Sequence, residues 1–222
     1  MELLSLQADS QFSKAKRTFK EAINRNSLII KSITLTFFVL LAASIIVTLI
    51  IFDASPELTE TLSSFTETVL GSGEIPSPYS GSLYSFIFFN NIGHFWNPIR
   101  MIVWLPAIGP LLLGLEILLN SGIIGIVAVI VGVSNGVAYP IIGLVPHGIV
   151  EIPAFLFQLS AIVLWQVTIS EAILNKLKGI PLDIPKFKLG IQDTAIFAVT
   201  SIILMGIAAL IETFVTPYLL GL

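Results

Sequence analysis

The sequence predicts an all-α integral membrane protein, a polytopic bundle of about five transmembrane helices accompanied by amphipathic interfacial helices. Three observations predict it. Of the 222 residues, 55% are hydrophobic and only 11% are charged, where soluble domains carry roughly a quarter charged residues. The mean hydropathy is +0.95. Apolar runs of about 20 residues, long enough for a ~30 Å hydrocarbon core, recur along the chain. The length suits a single domain. There is no Cys, which excludes disulfides, zinc ribbons and thiol catalysis.

Residues 1–27 read as a cytoplasmic, basic, amphipathic segment. They hold Lys14, Lys16, Arg17, Lys20 and Arg25. Leu6, Phe12, Ala15, Phe19 and Ile23 fall at roughly helical spacing, which suits a helix lying on a membrane face. Two readings stand for it, a positive-inside flank and a helix that docks on lipid or a partner.

A transmembrane helical domain follows over residues 28–222. Its first span covers about 32–52 and is too long for a signal-peptide h-region, so it reads as a retained anchor. The outer loop, 53–82, carries Asp53, Glu57, Glu60, Glu67 and Glu74 without a Lys or Arg. Within it, Ser55 suits an N-cap, Pro56 a first helical position and Gly71 a stop. Leu58, Leu62, Phe65 and Val69 form an apolar stripe, so a surface helix is expected there.

Residues 83–96 are aromatic but are interrupted by Asn90, Asn91, Gly93 and His94, ahead of the breaker Pro98. Phe88, Phe89, Phe95 and Trp96 suit an aromatic belt at the membrane interface, and a re-entrant dip of residues 83–96 into the membrane stands as the alternative. The second span is placed at about 99–119, kinked at Pro106 and Pro110. Asn120, Ser121 and Gly122 read as a tight turn into a third span, about 123–142. There Gly132 and Gly136 make a GxxxG pair, extended by Gly125, of the kind that lets helices approach closely in lipid. Pro146 and His147 open a fourth span, about 149–174, and a fifth covers about 194–215.

Charge orients this arrangement. Positive residues concentrate on the cytoplasmic side. Residues 1–31 hold six of the eleven Lys and Arg, residues 175–191 hold four, and Arg100 is the remaining one. With five spans both clusters fall on the same side, which puts the N-terminus in the cytoplasm and the C-terminus outside. An even number of spans separates them.

Ionisable groups inside spans cost roughly 2.5–3.5 kcal/mol at mid-depth on insertion scales, so each marks a candidate site. Glu116, His147, Glu151 and Glu212 qualify. His147 and Glu151 are four residues apart and share a helix face if the helix starts at Pro146. Three readings of the pair stand: a structural contact locking the start of the fourth span, a proton or ion relay, and a metal or hydrolytic site with Glu116 or His94 as a further ligand. Glu116 is expected to bond Ser134 or Asn135. The expected polar cluster is therefore His147, Glu151, Glu116 and Asn135. No HExxH, no GxSxG and no Gly-rich phosphate loop occurs. No catalytic, cofactor-binding or metal-ligating set is assigned, and no cofactor is expected.

Asn90-Asn91, Asn120-Ser121-Gly122, Asn135-Gly136 and above all Pro146-His147-Gly148-Ile149-Val150-Glu151 form an ordered series. In this series the chain resembles the stage II sporulation protein M family of integral membrane proteins, over roughly residues 85–215. The resemblance implies a small polytopic protein without demonstrated catalysis. It also implies a scaffold role, since sporulation members hold a peptidoglycan-degrading complex at the membrane. The expected function is thus a non-enzymatic scaffold or assembly subunit. Its expected partners are the lipid bilayer, a membrane or extracytoplasmic protein and a second copy packed through the Gly face, with no nucleic acid. Two alternatives stand beside it, a permease-like component using Glu116, His147 and Glu151, and an intramembrane metalloenzyme.

Overall fold

The computed structural model describes residues 2–55, 57, 60, 61, 64 and 76–221, with side chains from 11 onward except that of residue 12. The apolar stripe expected of a surface helix, Leu58 to Val69, lies outside the described residues. All described regular structure is helical. Helix α1 is Glu2–Arg25 and α2 is Ser27–Ala54. They are followed by α3, Gly81–Asn91, α4, Gly109–Asn135, and α5, Ala138–Leu177. Helix α6, Ile184–Leu210, passes through a π-turn at Ile211–Val215 into α7, Thr216–Leu220.

Among the described residues, four helices are long and apolar enough to cross a membrane: α2, α4, α5 and the continuous run Ile184–Leu220. Beside them runs a broken segment, residues 79–105, the broken pass. It starts beside the far end of that run, where the Tyr79 amide donates to the Thr213 carbonyl (3.3 Å). Tyr84 and Phe88 then pack over Gly206, and Ile92 joins Met205 and Ala154. It ends with Trp104 against Trp165 of α5, ring centroids 6.0 Å apart. Residues 83–96, expected at the interface, therefore run along α6, with Leu83, Ile87 and Ile92 buried against it and Phe86, Phe89 and Trp96 about half exposed.

This pass can be irregular because its freed carbonyls are captured by side chains, the condition for non-helical backbone at membrane depth. Arg100 Nη1 donates to the Asn90 carbonyl (2.6 Å) and Trp104 Nε1 to that of His94 (2.8 Å). Gln166 Nε2 donates to the carbonyl of Val103 (2.6 Å). Asn97 Oδ1 accepts from the amide of Ile99 (3.0 Å), holding the turn at Pro98.

Several expected boundaries are corrected. The turn expected at Asn120–Gly122 does not occur, and α4 runs straight through it. The polar side chains there bond back onto their own helix: Asn120 Nδ2 to the Glu116 carbonyl (2.9 Å) and Ser121 Oγ to that of Ile117 (2.7 Å). The break comes instead at Gly136, whose φ of 88° suits glycine. Gly136 thus ends helix α4, and nothing lies within 4 Å of where its Cβ would be. Helix α5 starts at Ala138 and carries Pro146 and Pro153 in its interior, so His147 does not lie at a helix start.

Close approach follows small residues, as expected where apolar burial gives no driving force. A Cβ on Gly125 would sit 2.6 Å from Ser44 Oγ of α2, and one on Gly132 would lie 3.4 Å from Pro140. Gly109 is tighter, because its Cβ would sit 2.1 Å from the backbone carbonyl oxygen of Val103. Gly109→Ala is expected to lower stability by about 1–3 kcal/mol or more, since backbone has to shift. A melting curve in detergent within a degree of wild type would contradict that fit.

The apolar core lies where α2, α4 and α5 meet, around Phe37, Ile117, Leu159 and Ile162. The last turns of α1 dock rather than lie free, with Ala22 buried beside Ala161, Leu164 and Phe197. Arg25 closes this contact. Its Nη2 and Nε donate to the two oxygens of Asp193 at 2.6 and 3.0 Å. Asn26 Nδ2 adds a third bond to the same carboxylate at 2.8 Å. The hydrogen bonds to Asp193 raise the Arg25 pKa further above its ordinary value. The two basic segments of the chain, before α2 and around the α5–α6 connection, therefore sit at one end of the bundle.

Candidate functional site

A cavity of about 580 Å3 opens between α2, the broken pass, α4 and α5. Its polar lining comes from three elements. The broken pass contributes Asn90, Asn91, His94 and Arg100, α4 contributes Glu116 and Asn120, and α5 contributes His147, Glu151 and Gln158. Interrupted helices beside such a cavity are a recurring way to expose polar groups at membrane depth.

Two polar contacts organise the site. His94 is almost fully buried, 2% exposed, and its Nε2 lies 2.6 Å from Glu116 Oε2. Glu151 Oε1 accepts from Asn91 Nδ2 at 3.0 Å, which ties α5 to the end of α3. Its other oxygen faces His147 Nε2 at 3.6 Å, too far for a hydrogen bond. His147 Nδ1 lies 3.3 Å from the Thr216 hydroxyl of α7. Two buried atoms at the cavity, Gln158 Oε1 and His94 Nδ1, have no hydrogen-bond partner among the described residues.

The sequence-based set is partly brought together. His147, Glu151 and Glu116 all line the cavity. Asn135 does not belong with them. It is exposed at the end of α4 and its amide reaches only the Val131 carbonyl, at 3.5 Å. Glu116 bonds His94, not Ser134 or Asn135, because the unexpected continuity of α4 carries those two residues away by several turns. The family-motif residues divide. Asn91 bonds Glu151, Asn90 supplies a carbonyl to Arg100, and Pro146 and Gly148 lie within α5 on either side of His147. Sequence reasoning missed Gln158, which reads as one more residue in an apolar helix. It also set Glu212 apart, whereas Glu212 lies beside His147 and Glu151. The π-turn that carries Glu212 leaves no mark in hydropathy.

The family model for stage II sporulation protein M matches residues 33–217. The chain belongs to the stage II sporulation protein M family. The match contains α4, α5 and the broken pass and most of α2 and of the run Ile184–Leu220, so every residue of the cavity lies within the family domain. No curated protein and no solved structure matches the chain. Membership and the apolar helices together establish an integral membrane protein.

Proposed function

We propose that the protein binds a small cationic solute at mid-depth in the membrane and passes it across, as a permease-like component. The cavity carries this reading: about 580 Å3, with the carboxylates of Glu116 and Glu151 facing it and Gln158 Oε1 and His94 Nδ1 unpartnered in its wall. Ionisable side chains in a membrane interior are costly unless function retains them. A bundle built only to hold a partner has no need of them. Glu116 and Glu151 would attract positive charge. The broken pass is the element whose few side-chain-to-carbonyl bonds a conformational change has to exchange.

In this reading the N-terminus faces the cytoplasm and the C-terminus the outside. Its support is that ten of the eleven Lys and Arg belong to the two segments gathered at one end of the bundle.

The test is solid-supported-membrane recording on proteoliposomes given concentration jumps of Na+, K+, Mg2+, protons and small amines. At least one is expected to give a current that falls to background in Glu116→Gln. Silence with every one of these solutes would refute the proposal.

A second reading, the scaffold, is supported by family membership. It calls for a partner held at fixed stoichiometry through gentle solubilisation from the native membrane. A chain that purifies alone from that membrane would remove it.

A further inference from the structure

We propose that His147, Glu151 and Glu212 form a binding site for one divalent transition-metal ion of the zinc or manganese class. The inference does not rest on the transport reading. Glu212 is not part of the cavity lining, and a resident ion serves a scaffold as well as a carrier.

The geometry points to an ion. One ligating atom from each of the three residues can be chosen so that all lie within 4.8 Å of one another. His147 Nε2 and Glu151 Oε2 stand 3.6 Å apart. That separation is too long for a hydrogen bond. It is close to the edge of a tetrahedron with bonds of about 2.0–2.1 Å, where neighbouring ligands sit ~3.3 Å apart. Rotation of the Glu212 side chain toward the other two would complete the set, with water in the remaining position.

The surrounding groups behave as a second layer of ligand support. Thr216 lies 3.3 Å from His147 Nδ1, so a proton on Nδ1 directed at the hydroxyl leaves Nε2 free to ligate. Such outer hydrogen bonds accompany metal-bound histidines almost without exception. Asn91 donates to Glu151 Oε1 and leaves Oε2 toward the imidazole. Among the described residues nothing donates a hydrogen bond to the Glu212 carboxylate.

Charge favours the same occupant. Two carboxylates lie together in a low-dielectric bundle, and no Lys or Arg among the described residues pairs with either. The nearest guanidinium along the cavity, Arg100, is directed to Asn90. Their mutual repulsion becomes attraction once a divalent cation sits between them. A single imidazole with two carboxylates is a mixed nitrogen–oxygen set. It suits zinc, manganese, iron or cobalt better than the all-oxygen ions calcium and magnesium. Glu212 reaches the site from the π-turn Ile211–Val215, a distortion found frequently at functional sites.

The experiment uses the full-length protein in detergent, stripped with chelator and titrated calorimetrically with Zn2+ alone. One ion per chain is expected to bind, with affinity lowered by about 10–100-fold or more in Glu212→Gln. Loading the wild type with Co2+ tests the site without any variant, because a four-coordinate nitrogen–oxygen site gives visible d–d absorption much stronger than that of the free aqua ion. Zn2+ binding that is equally tight in Glu212→Gln would overturn the proposal. So would a wild type that binds no Zn2+ and gives no Co2+ absorption, the two carboxylates then being neutralised by protons.

Discussion

Replacing Arg25 with alanine is expected to destabilise the protein by about 3–5 kcal/mol, because a buried charge is left without its partner. The Asp193 side chain is 3% exposed. In the wild type its two oxygens take a two-pronged bond from the guanidinium at 2.6 and 3.0 Å, the geometry in which Arg–carboxylate pairs are strongest. Without Arg25 only the Asn26 amide remains, at 2.8 Å. The exposed Arg17–Glu21 pair, 3.9 Å apart, sets the contrast, since such pairs contribute about 0–1 kcal/mol. Thermal unfolding in detergent should therefore separate Arg25→Ala clearly from Arg17→Ala. Removing both partners, as Arg25→Met with Asp193→Leu, should recover most of the loss, because no uncompensated charge is then buried. Equal melting points for Arg25→Ala and Arg17→Ala would show that the contact does not hold α1 to α6.

Arg25 also shows where the sequence was legible. Its charge belongs to the basic flank that composition alone marks, and that flank gathers with residues 176–188 at one end of the bundle. The counting rule needs only composition near the ends of apolar runs. Asp193 carries no such signal, because a lone acid at the start of an apolar run looks like a loop residue until its partner, 168 positions away, is placed beside it. The apolar runs at 32–52 and 194–215 lie within α2 and the run Ile184–Leu220, the second despite Glu212.

The middle of the chain was harder for a physical reason. Asn120-Ser121-Gly122 has turn composition, yet in an apolar medium Asn and Ser satisfy themselves by bonding back one turn, and the helix continues. Residues 83–105 have the polarity of an interface. Their polarity instead serves a broken backbone whose carbonyls are capped from residues up to 67 positions away, as in the 3.4 Å bond of Gln158 to the Asn91 carbonyl. The consequence for the site is direct. Once the second pass is the broken one, His94 is brought onto Glu116, and the expected Glu116–Asn135 contact disappears.

That His94–Glu116 pair is expected to give the other large effect. Glu116→Ala leaves His94 buried at 2% exposure with both ring nitrogens unpartnered, since Nδ1 already has none among the described residues. Only Nε2 is newly orphaned, and an orphaned polar atom costs about 1–3 kcal/mol, so a loss of about 1–3 kcal/mol in unfolding free energy is expected. His94→Phe with Glu116→Leu replaces both polar partners by apolar groups of similar size and should lie much nearer the wild type. The double variant then separates structure from function. If the pair exists only to fasten the broken pass to α4, the double variant restores both the melting point and every solute response of the protein. If the carboxylate serves a bound solute, the melting point returns while the current stays at background, since no packing change replaces a negative charge at mid-depth. Recovery of the current together with the melting point would assign Glu116 to architecture and leave Glu151 as the carboxylate able to receive a cation.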